Sequence, residues 1–309
     1  MPAFYAGIDG GQSSTVAVVL DAHGAVLGRG TAGPSDHVDE PANTQRAAQA
    51  CESALAAALA AAHLPPDTEP AAVVIGLSGY EGEWYGRAPA FGRAIVRYHH
   101  DSVIALAGAV RDRPAAVVIA GTGSVAYGES ANRDPIRAGG FGYLFGDEGS
   151  SFAIARTALA AAMRLSDRGV QTDLGLAALA FFDCPDLRAL AQAVAVRQIG
   201  RPQVASFARV VFAGARLGDP EAEAIVEDAS AALAGLAQLI VEQLGQAGMP
   251  AVPVAFVGGA MDNADLRLAA TRRLESATPL ARVVPPAFEP AIGAAFLAFD
   301  AAGVARPSR

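Results

Sequence analysis

Apolar residues along this chain come in short runs of strand length, interrupted by small polar knots and by longer stretches with helical spacing. The first runs, at 4–8 and 16–20, flank the knot "DGGQSST", and a third follows the turn "DAHG" at 25–29. This pattern predicts an antiparallel meander whose first connection is built from small polar residues. An Ala-rich amphipathic helix is predicted over 41–62, closed by "HLPP". Strands follow at 71–79 and 93–101, then a short helix over 102–111. After "RDRP" the design restarts, because "AAVVIAGTGSVAYGE" (115–129) is again strand, small polar knot, strand. Beyond it lie helices at 148–165, 173–181, 186–198, 203–216 and 220–247, a strand at 252–259, a helix at 263–276, a strand at 281–286 and a final helix at 290–302. Two halves that each open on a strand–knot–strand hairpin predict duplicated domains, and buried strands alternating with helices predict α/β sheets covered by helices.

Composition narrows the class. With 52% hydrophobic and 17% charged residues, the 309-residue chain reads as globular and long enough for two cores. Net charge −8 and pI 5.1 argue against an extended nucleic-acid surface. A membrane span and a signal peptide are not expected, since the apolar stretches carry charges or helix breakers and the start lacks a basic region. Cys51 and Cys184 show no CxxC or neighbouring His, too few ligands for a zinc site and suited to a reducing cytoplasm.

The candidate chemistry sits in the knots. Glycines at Gly10 and Gly11 let a ligand approach the backbone, hydroxyls and successive N–H groups can form an anion nest, and Asp9 in the same turn can hold hydrated Mg²⁺ against a phosphate. A plain hairpin turn selects the same residues. The second knot, Gly121–Ser124, has the same ambiguity alone, but two such knots together favour a phosphate clamp. Neither is a Walker loop, because no Lys follows and each leads into a strand. Asp101, at a strand-to-helix junction, suits either a base for a hydroxyl attacking a γ-phosphate or an N-cap for a helix starting at Ser102. His99 and His100 read as strand-end polar residues. "GGFGYLFGDEGSS" (139–151) leads glycines and a carboxylate, Asp147, into a helix start, and "VGGAM" (257–261) would let a flat base approach the backbone.

Taken in order, these motifs resemble the N-acetylglucosamine kinase group of the BadF/BadG/BcrA/BcrD ATPase family, within the sugar kinase/heat-shock ATPase/actin superfamily. The resemblance spans nearly the whole chain; "GGFGYLFGDEGSS" is its most specific part. It implies an α/β protein of two ribonuclease H-like (actin/hexokinase-type) domains, with mixed sheets flanked by helices and an interdomain cleft. Their bounds would be 1–113, joined by the C-terminal helix 290–309, and 114–289. The implied activity is ATP-dependent phosphorylation of an amino sugar, N-acetylglucosamine or glucosamine, at the 6-hydroxyl, in a cytoplasmic homodimer using ATP and Mg²⁺. By position, Gly10, Gly11, Gln12, Ser13, Ser14, Thr15, Gly121, Thr122, Gly123 and Ser124 would bind the ATP phosphates, with Asp9 holding Mg²⁺ through water. Gly258, Gly259 and Asn263 would flank the adenosine. Asp36, His37, Ser78, Gly79, Asp101, Thr122, Gly139, Gly140 and Asp147 would line the sugar site, with Asp101 as the base. Two other readings remain open: an ATPase that activates a dehydratase through a shared iron–sulfur cluster, and a non-catalytic sugar or nucleotide sensor.

The chain departs from this pattern in two places. Tyr143 and Phe145 put an aromatic pair in the hallmark loop, which alters the shape expected of the sugar pocket. Asp36-His37 stands where the family's vertebrate members carry Asn-His, and a carboxylate there suits an ammonium sugar better than an acetamide. Asp36→Asn is therefore expected to shift the ratio of kcat/KM for glucosamine over N-acetylglucosamine downward. An unchanged, strong preference for the acetylated sugar in both proteins would overturn that expectation.

Overall fold

In the computed structural model, which describes residues 3–35, 45–65, 67–84, 86–245 and 251–307, the chain forms two compact units, residues 1–113 with 285–309 and residues 114–284. In the first unit the opening apolar runs form β1 (Tyr5–Gly10), β2 (Thr15–Leu20) and β3 (Val26–Ala32), the expected antiparallel meander. Helix α1 (Arg46–Ala61) carries the chain over to β4 (Ala72–Leu77), parallel to β1, and β5 (Ile95–His100) adds in parallel beside it. The sheet order is β3-β2-β1-β4-β5.

Both faces of this sheet are covered, and the strand period of two assigns its residues to them. Ala6, Ile8, Ala17, Val19, Val73, Ile75 and Leu77 pack with Cys51, Leu55 and Leu59 of α1. The alternate positions Tyr5, Val18, Leu20, Ala72 and Val74 pack with Ile104 of α2 (Asp101–Ala109) and with α10 (Pro290–Ala301). The Ala-rich composition of these helices has a steric cause: they approach their neighbours nearly backbone to backbone. A Cβ on Gly7 would lie 2.1 Å from the Ala291 carbonyl oxygen, and one on Gly293 2.1 Å from that of Ile104.

The second unit repeats the plan. Its strands are β6 (Ala115–Ala120), β7 (Ser124–Glu129), β8 (Pro135–Gly139), β9 (Val252–Val257) and β10 (Ala281–Val283). Their order, β10-β9-β6-β7-β8, is that of the first sheet with the same antiparallel and parallel pairings. The sequence reading omits β8, the element that completes the duplication. It is a five-residue edge strand, opened by a proline and exposed at alternate positions, so it carries no apolar signal. Between β8 and β9 the chain inserts α3 (Ser151–Ser166), α4 (Asp173–Phe182), α5 (Leu187–Ala195), α6 (Arg201–Ser206), α7 (Ala208–Arg216) and α8 (Pro220–Gly245); α9 (Ala264–Ala277) links β9 to β10. The single helix expected over 203–216 is two. They meet at the fully buried Phe207, whose N–H bonds Val204 three residues back.

Helix α8 is the only described helix long and apolar enough to cross a membrane. Its Leu233, Ala237, Ile240 and Leu244 instead enter the core of the second unit, and its other positions include Glu221, Glu223, Glu227, Asp228 and Glu242.

Phe299 ties α10 to the first sheet: it is fully buried, and its ring stacks on Tyr5 at 3.8 Å between centroids. Phe299→Ala is expected to cost about 3–5 kcal/mol of unfolding free energy by denaturant titration. A loss below about 1 kcal/mol would mean that α10 does not depend on this contact.

Candidate active site

Parallel register brings the sequence candidates of the first unit into one row. Gly10 is level with Leu77, and Leu77 with His100, so the residues that follow each strand (Gly11, Ser78 and Asp101) leave the sheet side by side at its carboxyl edge. In open α/β sheets this edge is where ligands bind. Backbone bonds hold the row: Ser78 N–H donates to the Gly10 carbonyl (2.9 Å) and Ser35 N–H to that of Gly11 (3.1 Å). Gly79 has φ +78°. The first knot is a hairpin turn closed by Gly11 N–H to the Ser14 carbonyl (3.0 Å), with Ser13 and Ser14 exposed. Thr15 differs from its neighbours. It is buried, and its hydroxyl donates at 2.8 Å to the carbonyl of Gly33, the residue that follows β3. Asp36 and His37 lie outside the described residues.

Asp101 is the first residue of α2 and not its cap. The cap is His100, whose Nδ1 accepts the Ser102 N–H at 3.2 Å and lies 2.9 Å from Asp101 Oδ1. Sequence reasoning misses this because Asp, not His, is the residue a helix start ordinarily selects. That buried Oδ1 makes no hydrogen bond among the described residues.

Asp9 shares this edge with two further groups that no motif announced. Glu289, at the N-terminus of α10, pairs with Arg29 of β3 at 2.5 Å. Burial first, then the Asp101 and Glu289 carboxylates, push the Asp9 carboxyl up to about 7, against the pull of Arg29.

The second unit has a matching edge. Ile119 is level with Val257, so the second knot, Gly121–Ser124, leaves β6 beside the Gly258–Gly259 turn that follows β9. The approach there is so close that a Cβ on Gly258, at φ +100°, would lie 2.6 Å from the Ala120 carbonyl oxygen. Asn263 caps α9, accepting the Leu266 N–H at 2.9 Å. It also helps line a cavity of about 250 Å³ between α7, α8 and α9, with Phe212, Arg216, Glu223 and Val226 among its walls.

The hallmark loop and the second knot prove to be one hydrogen-bonded body. Gly140 N–H donates to the Ser124 carbonyl (3.1 Å), Ser151 N–H to that of Gly121 (2.8 Å), Ser124 Oγ to that of Glu148 (2.7 Å), and Ser124 N–H to Asp147 Oδ1 (3.1 Å). Gly139 and Gly140 have φ +73° and +72°, values that glycine adopts without steric cost. Asp147 also has positive φ (+65°), and its buried carboxylate turns back under Gly123. Burial pushes its carboxyl up, against the Ser124 N–H and the Arg201 guanidinium. Thr122 stays half-exposed at the turn. The expected aromatic pair is split: Tyr143 packs edge-on against Phe152, whereas Phe145 is 84% exposed.

Two five-stranded mixed sheets of identical order, each with a glycine turn on its first hairpin, define the duplicated fold of sugar kinases and actin-like ATPases. Residues 6–298 match the family model described as the BadF/BadG/BcrA/BcrD ATPase family, and the chain belongs to that family. It is 32% identical over 165 residues to the N-acetylmuramic acid/N-acetylglucosamine kinase of Clostridium acetobutylicum, a match covering 53% of this chain and 54% of that protein. It is 25% identical to the N-acetyl-D-glucosamine kinase of Dictyostelium discoideum over 96% of this chain and 98% of that one. Among solved structures, a candidate N-acetylglucosamine kinase from Chromobacterium violaceum superposes with a TM-score of 0.78 at 27% identity, covering 96% of this chain and 99% of the other. These end-to-end relatives are kinases by name.

The raised Asp9 carboxyl sets a pH dependence. The free carboxyl titrates near 3.8 and the folded one near 7, so the folded state keeps the proton in between. The associated stability is full below about pH 4 and is lost as pH rises through 7, by a few kcal/mol at most. Without divalent ions, unfolding free energy of the wild type is expected to fall between pH 5 and 8 relative to Asp9→Asn. Parallel curves for the two proteins would refute the shift.

Proposed function

We propose that this protein transfers the γ-phosphate of ATP to the 6-hydroxyl of an amino sugar, N-acetylglucosamine or glucosamine. The observation that carries the reading is the row at the first sheet's edge. The glycine turn, Ser78-Gly79 and Asp101 stand together there, with Asp101 at the start of α2 and its Oδ1 2.9 Å from His100 Nδ1.

In this reading Asp101 accepts the proton of the sugar hydroxyl as that oxygen attacks phosphorus. Gly10, Gly11, Gln12, Ser13 and Ser14 of the first turn and Gly121, Thr122 and Gly123 of the second present backbone and hydroxyl groups to the phosphates. The Thr15 and Ser124 hydroxyls are committed elsewhere, because each already donates to a carbonyl outside its turn, of Gly33 and of Glu148. Asp9 is the residue that would hold Mg²⁺, through water, and the bound ion would neutralise charge on the β- and γ-phosphate oxygens. Gly258 and Gly259 leave the backbone open to the adenosine, and the cavity beside Asn263 has an aromatic wall in Phe212 suited to a purine. Ser78, Gly79, Gly139 and Gly140 supply the sugar contacts, with Asp36 and His37 assigned there by family resemblance; Asp147, expected among them, is buried with its two oxygens on the Ser124 N–H and the Arg201 guanidinium and holds the second turn instead. Cytoplasmic location and a homodimer belong to the same reading and rest on family resemblance alone.

The dehydratase-activator alternative needs cysteines at a cluster site. Cys51 is fully buried in the core beneath α1, and burial pushes its thiol up to about 12, so it offers no exposed thiolate.

A coupled ADP-release assay across a panel of sugars is expected to show turnover with an amino sugar, and Asp101→Asn is expected to lower kcat by about 10²–10⁴-fold. Turnover with no sugar would refute the kinase reading. A change below about threefold in Asp101→Asn would leave Asp101 a structural residue.

A further inference from the structure

Arg201, the first residue of α6, belongs to no motif, yet it reaches the most constrained carboxylate of the second unit. Its Nη2 donates to Asp147 Oδ2 at 2.6 Å, while Asp147 Oδ1 accepts the Ser124 N–H at 3.1 Å. The guanidinium lies over the ring of Tyr143 (4.8 Å) and near that of Phe152 (5.5 Å), and Tyr143 comes from the same loop as Asp147. Its side chain is 19% exposed, and its Nε is buried with no hydrogen-bond partner among the described residues. One planar cation therefore touches the hallmark loop and α3 directly, and the β6–β7 turn through Asp147.

A buried ion pair is poor evidence of a stabilising device, since apolar side chains of similar volume commonly serve as well. What it offers here is a single geometry. The Asp147 carboxylate lies under Gly123, at 2.9–3.1 Å from where a Cβ would stand, so a shift of the carboxylate is passed to the turn. We propose that Arg201 is a positioning residue: stacked on Tyr143 and Phe152, it fixes the Asp147 carboxylate, and through it the Gly121–Ser124 turn, in the form that receives the terminal phosphates of the nucleotide. This rests on the reading of that turn as a phosphate cradle.

Calorimetric titration with AMPPNP and with adenosine, on the wild type, Arg201→Met, Arg201→Lys, Asp147→Asn and the double variant Arg201→Met/Asp147→Asn, tests it. Arg201→Met is expected to weaken AMPPNP at least about tenfold and to leave adenosine within about twofold, because only phosphate contacts depend on the turn. Arg201→Lys, which keeps the charge and most of the packing, should recover much of the loss. In the Asp147→Asn background, Arg201→Met should change AMPPNP affinity by less than about threefold, since the coupling runs through that carboxylate. Equal losses for AMPPNP and adenosine, no loss at all, or the same loss in both backgrounds would overturn the proposal. A wild type that binds AMPPNP but phosphorylates no amino sugar would refute the kinase reading and leave the Arg201 coupling measurable. A wild type that binds adenosine and not AMPPNP would overturn the cradle, and Arg201's role with it.

Discussion

The site depends on a backbone ladder. Gly10, Leu77 and His100 end their strands level because β1, β4 and β5 pair in parallel without a slip, and β6 with β9 repeats the arrangement in the second unit. A one-residue shift of β4 against β1 would move every alternating side chain to the opposite face. Both faces are buried here, by α1 on one side and by α2 and α10 on the other, so such a slip would disrupt two cores at once. The covering helices therefore hold the ladder in register, and the ladder places the turns. Small residues at the helix–sheet contacts are part of the same device, because they let α10 lie against β1 at backbone distance.

Charge is handled differently at the two edges. In the first unit burial, with the charges of Asp101 and Glu289, leaves the Asp9 carboxyl far above its ordinary range, and Glu289 is paired with Arg29. In the second unit Asp147 is also buried, but an N–H and a guanidinium answer its two oxygens. The first carboxylate group keeps acceptor capacity for a ligand; the second spends it on the protein's own turn.

The long apolar runs were legible. Most strands and helices fall where periodicity put them, because alternation over six residues and helical spacing over fifteen are strong local signals. The omitted strand β8 and the break at Phe207 were not legible, for opposite reasons: β8 takes its pairing from β7 and not from its own residues, while the Phe207 kink sits inside a run with uninterrupted helical character.

By itself the sequence determined the duplicated strand–knot–strand design, the glycine turns, the candidate carboxylates and the family, because each of these is written in residues close together in the chain. Only the tertiary structure decided which hydroxyls remain for a ligand, that His100 and not Asp101 caps α2, and that the hallmark loop and the second turn are one body. The same holds for Arg201, which lies 54 residues from Asp147 and meets it only through the packing of α6 against α3. Hydrogen-bond partners and burial are set by elements far apart in sequence, and no local pattern encodes them.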